Sequence, residues 1–322
     1  MTPPITVLLH GLPLTFRAED AALRERFRAV YGHLLPAAAH GIHIDWQLHP
    51  ADVAPLPPAD MPELAPGELV SYYGNTVQIA IRMPKYGLLT VDLDQNRVEG
   101  RVTANCLSVY GAFEDVMMIS LAPLYRRRGW FPLHAFAAVS PAGQAALITG
   151  AMGAGKTTTG LALLAAGWKL LSNDSPLLQL RDDSVEVLAY PGRLSAFDDS
   201  LARFEQLAGF IPPHSAGREK RVFDAADAFG AEVWADTAPA GGVFFPEIVP
   251  GLAKSELAPI GPTESVLQLL PQAIEGWDKT AIARHLHLLS RLAAQAACYR
   301  LRLAPNVAEL PALIAAGLAR ST

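Results

Sequence analysis

The spacing of apolar residues changes character along this chain. After a short apolar run near the start, a helix-like pattern extends from about Ala18 to Leu34. Pro50, Pro55, Pro57, Pro58, Pro62 and Pro66 then break any regular element. Between Glu68 and Gly111 the pattern becomes β-like, in YYGNTVQIAIRM and YGLLTVDLDQNRVEGRVTA. Val91 and Leu93 on one side of DQN, with Val98 on the other, predict a hairpin. Residues 1–120 read as a smaller α+β accessory domain in which no catalytic constellation stands out.

From residue 121 to 322 strands and helices alternate, which predicts an α/β domain. His134–Val139 reads as a strand, PAGQ as a turn, and AALITG as a second strand. Lys156 to Ala166 reads as a short apolar helix closed by Gly167, a residue suited to the left-handed stop of a helix. Another strand follows in WKLLSND. PLLQL and VEVLAY flank RDDS as a hairpin, and GGVFFPEIV is strand-like. Helices are expected near 263–276 and 279–297, then a last strand in CYRLRLA and a helix from about Val307.

Composition narrows the class. Of the 322 residues 51% are hydrophobic and 18% charged, enough apolar material to exclude an extensively disordered chain. A formal net charge of −5 gives no global positive field for nucleic acid or an anionic membrane, so neither is expected as a partner. No basic n-region opens the chain, and no apolar run approaches the ~18 residues of a spanning helix. A cytoplasmic location is therefore expected, with Cys106 and Cys298 as reduced, buried thiols. Homo-oligomerisation is left open.

The chemistry concentrates in Gly150-Ala151-Met152-Gly153-Ala154-Gly155-Lys156-Thr157, followed by Thr158, which satisfies GxxxxGK(S/T). Glycines allow backbone N–H groups to close on phosphate oxygens, and the following helix turns its positive end toward the same anion. Lys156 is expected to neutralise the β- and γ-phosphates of ATP, and the Thr157 hydroxyl to ligate Mg²⁺. The apolar strand before the loop and the apolar helix after it separate this motif from a chance Gly-rich turn. An acid near the metal is expected at Asp174, just beyond the strand that follows the helix; the bland alternative is a turn cap before Ser175-Pro176.

The run FPLHAFAAVSPAGQAALITGAMGAGKTTTGLALLAAGWKLLSNDSPLL resembles the catalytic domain of HPr kinase/phosphorylase and relatives such as lasso-peptide kinases. AYPGRLSAFDDS resembles the segment that follows in those relatives. The likeness covers about residues 125–200 and extends more loosely to the C-terminus. It implies a P-loop fold of the type shared with phosphoenolpyruvate carboxykinase, and phosphoryl transfer to a serine of a small protein or peptide. It also implies a site role for His134, otherwise a packed strand residue. Two departures stand out. The family has two aspartates after the P-loop helix and its strand, where this chain has Asn173 and Asp174; an amide cannot take the acceptor's proton. The IEIRG-type run of true HPr kinase/phosphorylases is absent, which argues against HPr as substrate and against the reverse activity.

Other residues weigh less. Arg193, beside the Pro191-Gly192 turn, is a candidate phosphate or substrate contact. Arg126, Arg127 and Arg128 read as a solvated turn, and Asp198 and Asp199 as helix caps. Lys220 and Arg221 lie in GREKRVFDAADAFG, read either as a segment closing over nucleotide or as a surface helix start. His285 and His287, two apart on a helix, face different ways and form no metal pair. The competing functions are a small-metabolite kinase and a nucleotide-binding regulator with little catalysis.

Overall fold

A computed structural model describes residues 2–37, 41–210, 220–273 and 275–321. The chain divides into two compact units, residues 1–128 with 275–281, and residues 129–274 with 282–322. Both mix helices with sheets.

In the first unit, hairpin β1 (Ile5–Leu9) and β2 (Leu12–Arg17) leads through α1 (Ala21–Tyr31) to β3 (Ile42–Leu48). Then come β4 (Glu63–Ala65), β5 (Ser71–Gly74), β6 (Gln78–Met83), β7 (Gly87–Asp92), β8 (Arg97–Val102), α2 (Asn105–Ser108) and α3 (Ala112–Arg127). Among the described residues the strands form an eight-stranded sheet in the order β1-β2-β3-β8-β7-β6-β5-β4. The pairs β2–β3 and β3–β8 are parallel and the rest antiparallel, with α1 supplying the crossover that a parallel β2–β3 pair requires. Phe16 stacks on Phe27 at 4.4 Å, and Trp46 meets Phe113 edge-on at 5.3 Å, all within the buried core. Helix α1 is shorter than its apolar pattern, because the Asp20 side chain accepts from Leu23 N at 3.0 Å and sets the start. Strand β4 forms inside the proline-rich tract that was expected to hold no regular element.

The arginine run is the larger correction. Arg126 and Arg127 end α3, and Arg126 is 3% exposed rather than solvated. It pairs with Glu275 at 2.9 Å and Asp278 at 3.7 Å, while Arg127 holds Asp278 at 2.5 Å. Trp277 stacks on Tyr72 at 4.6 Å beside this network, and burial, then Glu275, pushes the Tyr72 phenol well above its usual range. Segment 275–281 is thus bound into this unit by charge, which its sequence position did not foretell.

The second unit opens with β9 (Phe131–Pro132), β10 (Ala135–Val139), β11 (Ala145–Thr149), α4 (Lys156–Ala165) and β12 (Lys169–Ser172). Next are β13 (Leu177–Arg181), β14 (Ser184–Leu188), β15 (Leu194–Phe197), α5 (Asp198–Leu201), β16 (Lys220–Phe223), α6 (Ala225–Phe229) and β17 (Thr237–Ile248). The chain ends with β18 (Glu256–Pro259), α7 (Pro262–Leu269), α8 (Lys279–Gln295), β19 (Ala297–Leu303) and α9 (Leu310–Leu318). Strands run in the order β12-β10-β11-β17-β14-β13-β9, with β19 also on β17 and β18 on β19, while β15 and β16 pair separately. Phe136, Ile148, Phe244 and Leu301 pack with Leu161, Leu164, Ile314 and Leu318 in one core. Gly160 seats α4 on the sheet, since a Cβ there would lie 2.5 Å from the Phe136 ring. Helix α7 stops well short of residue 276 because Pro271 sits in the 3₁₀ turn that follows. The RDDS hairpin forms with Asp182 and Asp183 both at positive φ, a conformation Asp tolerates in tight turns. Lys220 and Arg221 lie on strand β16, not a helix; residues 217–219 of their segment lie outside the described residues.

Candidate functional site

Topology gathers the predicted residues at one end of the sheet. Strand β10 is antiparallel to both β11 and β12, with Ala135 opposite Thr149 and Ala137 opposite Ser172. The chain therefore enters β10 where it leaves β11 and β12, so His134, the glycine loop after β11 and Asn173-Asp174 lie at that end. The His134 backbone is tied on several sides. Its N–H donates to the Gln272 carbonyl at 2.8 Å, its carbonyl accepts from Thr149 Oγ1 at 2.8 Å, and Ala135 N donates to the Asp174 carbonyl at 2.9 Å.

His134 Nδ1 lies 3.3 Å from Asp174 Oδ1, with the two side chains 44% and 48% exposed. The turn at Asp174 is capped by another residue: Asp174 N and Ser175 N donate to the Ser172 hydroxyl at 3.4 and 3.1 Å. The Asp174 carboxylate is thus available to side-chain chemistry. Asn173 Nδ2 donates to the Arg193 carbonyl at 3.3 Å. That carbonyl fixes the amide's orientation, because the flipped form would set two acceptors against each other. Asn173 Oδ1 is left buried with no hydrogen-bond partner among the described residues. Arg193 contributes its main-chain carbonyl here, and the residue is half-buried.

The loop itself has Gly150, Gly153 and Gly155 at φ 151°, 79° and 107°. Gly155 is doubly constrained, since a Cβ would also lie 2.5 Å from Leu303 Cδ1 at the end of β19. Gly155 caps α4 without any side-chain hydrogen bond, leaving the helix end to an external acceptor. Lys156 Nζ donates back across the loop to the carbonyls of Gly150 at 2.7 Å and Ala151 at 3.2 Å. Burial draws the Lys156 ammonium below the usual lysine range; Asp174 opposes that shift and Lys220 adds to it. Thr157 is half-buried at the first turn of α4, and Met152 at the loop tip is 98% exposed.

A second wall was not legible in the sequence. Thr158 Oγ1 and Ser200 Oγ are 3.0 Å apart, joining the first turn of α4 to α5. Asp198 is no side-chain cap: it binds Arg221 twice, Nε to Oδ1 at 2.9 Å and Nη2 to Oδ2 at 3.2 Å. A lone serine after two aspartates carries no signal of either contact. His285 is buried, its ring 4.6 Å from Phe131, and His287 is exposed. Both cysteines are buried and free.

The donor set fits a metal that arrives with a nucleotide. Among the described residues no three His, Cys, Asp or Glu side chains cluster as a resident metal site. Mg²⁺ is commonly held by one or two protein oxygens plus substrate phosphates, a requirement the Thr157 hydroxyl and Asp174 carboxylate can meet. No helix among the described residues is long and apolar enough to cross a membrane.

The chain matches no protein-family model and no curated protein. Among solved structures it is similar to the Hpr(Ser) kinase/phosphatase from Coxiella burnetii, at 16% identity and a TM-score of 0.31 over 59% of this chain and 93% of that chain. A likeness of that order is distant and fixes no activity.

Proposed function

We propose that this chain is an ATP- and Mg²⁺-dependent phosphotransferase, related to HPr kinase, that transfers the γ-phosphate to a serine hydroxyl of a small protein or modified peptide. The observation that carries the proposal is the meeting of a P-loop lysine, drawn across its glycine loop, with a His134–Asp174 pair at the same sheet end. The first supplies a phosphate cradle and the second an acceptor site for a proton.

In this scheme Lys156 and the amides at the start of α4 hold the phosphates. Thr157 and Asp174 would hold Mg²⁺, which would supply charge neutralisation for the transferred phosphoryl group. Asp174 Oδ1 lies 3.3 Å from Nδ1, which leaves Nε2 as the ring nitrogen to take a proton. Nε2 takes the serine proton as the Oγ–P bond forms. The bond from the γ-phosphorus to the β,γ-bridging oxygen breaks, and ADP leaves with that electron pair. Asn173 Oδ1 accepts a hydrogen bond from the incoming hydroxyl and positions it without removing its proton.

One observation favours a second reading. The amide of Asn173, anchored on a main-chain carbonyl, stands where the resembling family has a carboxylate, which suits a nucleotide-binding regulator with little turnover. Incubation with γ-labelled ATP and the small proteins and peptides encoded beside its gene separates the cases. Label on a serine of a protein or peptide supports the proposal. Label on a metabolite replaces the acceptor, and tight ATP binding without transfer favours the regulator.

A further inference from the structure

The run from Arg193 to Ser200 is tied at both ends to elements of the candidate site. Ahead of β15, the Arg193 carbonyl accepts from Asn173 Nδ2 at 3.3 Å. Beyond β15, in α5, Ser200 Oγ lies 3.0 Å from Thr158 Oγ1 in the first turn of α4. Between the two ties β15 pairs with β16, and Asp198 takes two hydrogen bonds from Arg221 in a pair largely shielded from solvent. Ser200 therefore meets Thr158 from a backbone held in place by other contacts. Its hydroxyl also lies 3.5 Å from Asp199 Oδ1, the outer limit of a hydrogen bond. In α4, Thr159 N donates to the Gly155 carbonyl at 2.9 Å. The N–H groups of Lys156, Thr157 and Thr158 precede any acceptor in their own helix, so an anion at this end would meet the turn that carries the Thr158 hydroxyl.

We propose that Ser200 is a positioning residue for the phosphates of the bound nucleotide, acting through the Thr158 hydroxyl. The proposal rests on the reading of residues 150–157 as the nucleotide site. Only one proton lies between two hydroxyls 3.0 Å apart, and either group can supply it. An ionised phosphate oxygen only accepts, so Thr158 must turn its own proton to the nucleotide and take another from its neighbour. Ser200 is placed to give that proton, releasing the 3.5 Å contact with Asp199, the longer of its two. Every oxygen in the chain from serine to phosphate then keeps a partner. Alanine at 200 would leave the oxygen of the half-buried Thr158 short of a hydrogen bond while its proton is on the phosphate. A pair that merely ties α5 to α4 needs no direction in its hydrogen bond, and its loss would be felt with or without nucleotide.

A double-mutant cycle on the full chain tests this, read by calorimetric titration with Mg·ATP and by the melting temperature of the free protein. Ser200→Ala should weaken Mg·ATP binding by about threefold to tenfold, the net worth of one hydrogen bond. Ser200→Thr, which keeps the hydroxyl, should bind within about twofold of wild type. In a Thr158→Val background the hydroxyl that Ser200 serves is gone, so adding Ser200→Ala should change affinity by less than about twofold. Wild-type affinity in Ser200→Ala overturns the proposal, as do losses that multiply in the double variant. So does coupling confined to the melting temperature of the free protein, which marks a structural tie. Each of these leaves the P-loop reading intact, whereas wild-type protein that does not bind Mg·ATP overturns both. If Ser200→Ala does not fold, Ser200→Cys takes its place in the same cycle, since a thiol is a weak donor, and is judged by the same outcomes.

Discussion

Replacing Asn173 by aspartate bears most directly on the mechanism, and the structure gives it two opposed effects. The amide donates to the Arg193 carbonyl at 3.3 Å, and its own oxygen is buried without a partner. Asn173→Asp turns the N–H···O contact into two facing acceptors and leaves the carbonyl unsatisfied. Leaving such a group unpaired costs about 1–3 kcal/mol. At about 2–4 °C per kcal/mol for a domain of 150–250 residues, the melting temperature should fall measurably. The other oxygen of the new carboxylate occupies the place of Oδ1, where it can accept a proton from a serine hydroxyl. If the wild type relies on positioning alone, phosphotransfer or basal ATPase should rise toward the ~10²–10⁴-fold of general-base assistance. If His134 Nε2 already serves as base, the gain should be small and His134→Ala should be the damaging change. The new charge is also one residue from Asp174, and like charges oppose each other's ionisation, so rates are compared at saturating Mg²⁺. An unchanged melting temperature would refute the anchoring of Asn173 on Arg193. If neither substitution changes any ATP-dependent activity and the wild type has none, the kinase proposal fails.

Lys156→Ala should weaken Mg·ATP binding by about 1.5–3 kcal/mol in calorimetry, and unchanged affinity with the fold intact would remove the P-loop assignment. In the wild type, burial holds the free Lys156 ammonium below its usual range while a bound anion favours protonation. Binding should therefore take up protons on the alkaline side, with affinity falling as pH rises through the free protein's Lys156 pKa; titrations in buffers of different ionisation enthalpy read that uptake. Asp174→Ala should abolish turnover and weaken Mg²⁺-dependent ATP binding more than metal-free binding. Combined with His134→Ala it should cost less than the sum of the single changes, because the two side chains act as a pair at 3.3 Å, and additive rate losses would separate them. Arg126→Met should destabilise the protein by about 3–5 kcal/mol, since it strips a partner from the buried Asp278 and from Glu275; a denaturation midpoint within error of wild type would contradict that network.

Much of the site was local and therefore visible in the sequence. The strand Ala145–Thr149, the glycine loop and the helix from Lys156 form consecutively, their residue types answering local demands: β-branched and apolar residues, positive φ, and a helix start. The hairpins at DQN and RDDS were legible for the same reason, because turn residues act on their immediate neighbours. What required tertiary structure was every contact between segments far apart in the chain. Antiparallel β10 brings His134 to Asp174, 40 positions later, and a single alternation error would have turned the imidazole to the other face. The burial of Arg126 depends on carboxylates about 150 residues away, so a run of three arginines read locally as solvent-facing. Asp198 read as a cap because its neighbours suit a helix start, yet a guanidinium across the hairpin competes more strongly for its charge. Sequence thus determined the glycine loop at residues 150–155 and the elements beside it, where backbone propensity acts over a few residues. The tertiary fold alone decided which side chains surround that loop, because electrostatic pairing and packing depend on distance in space and not along the chain.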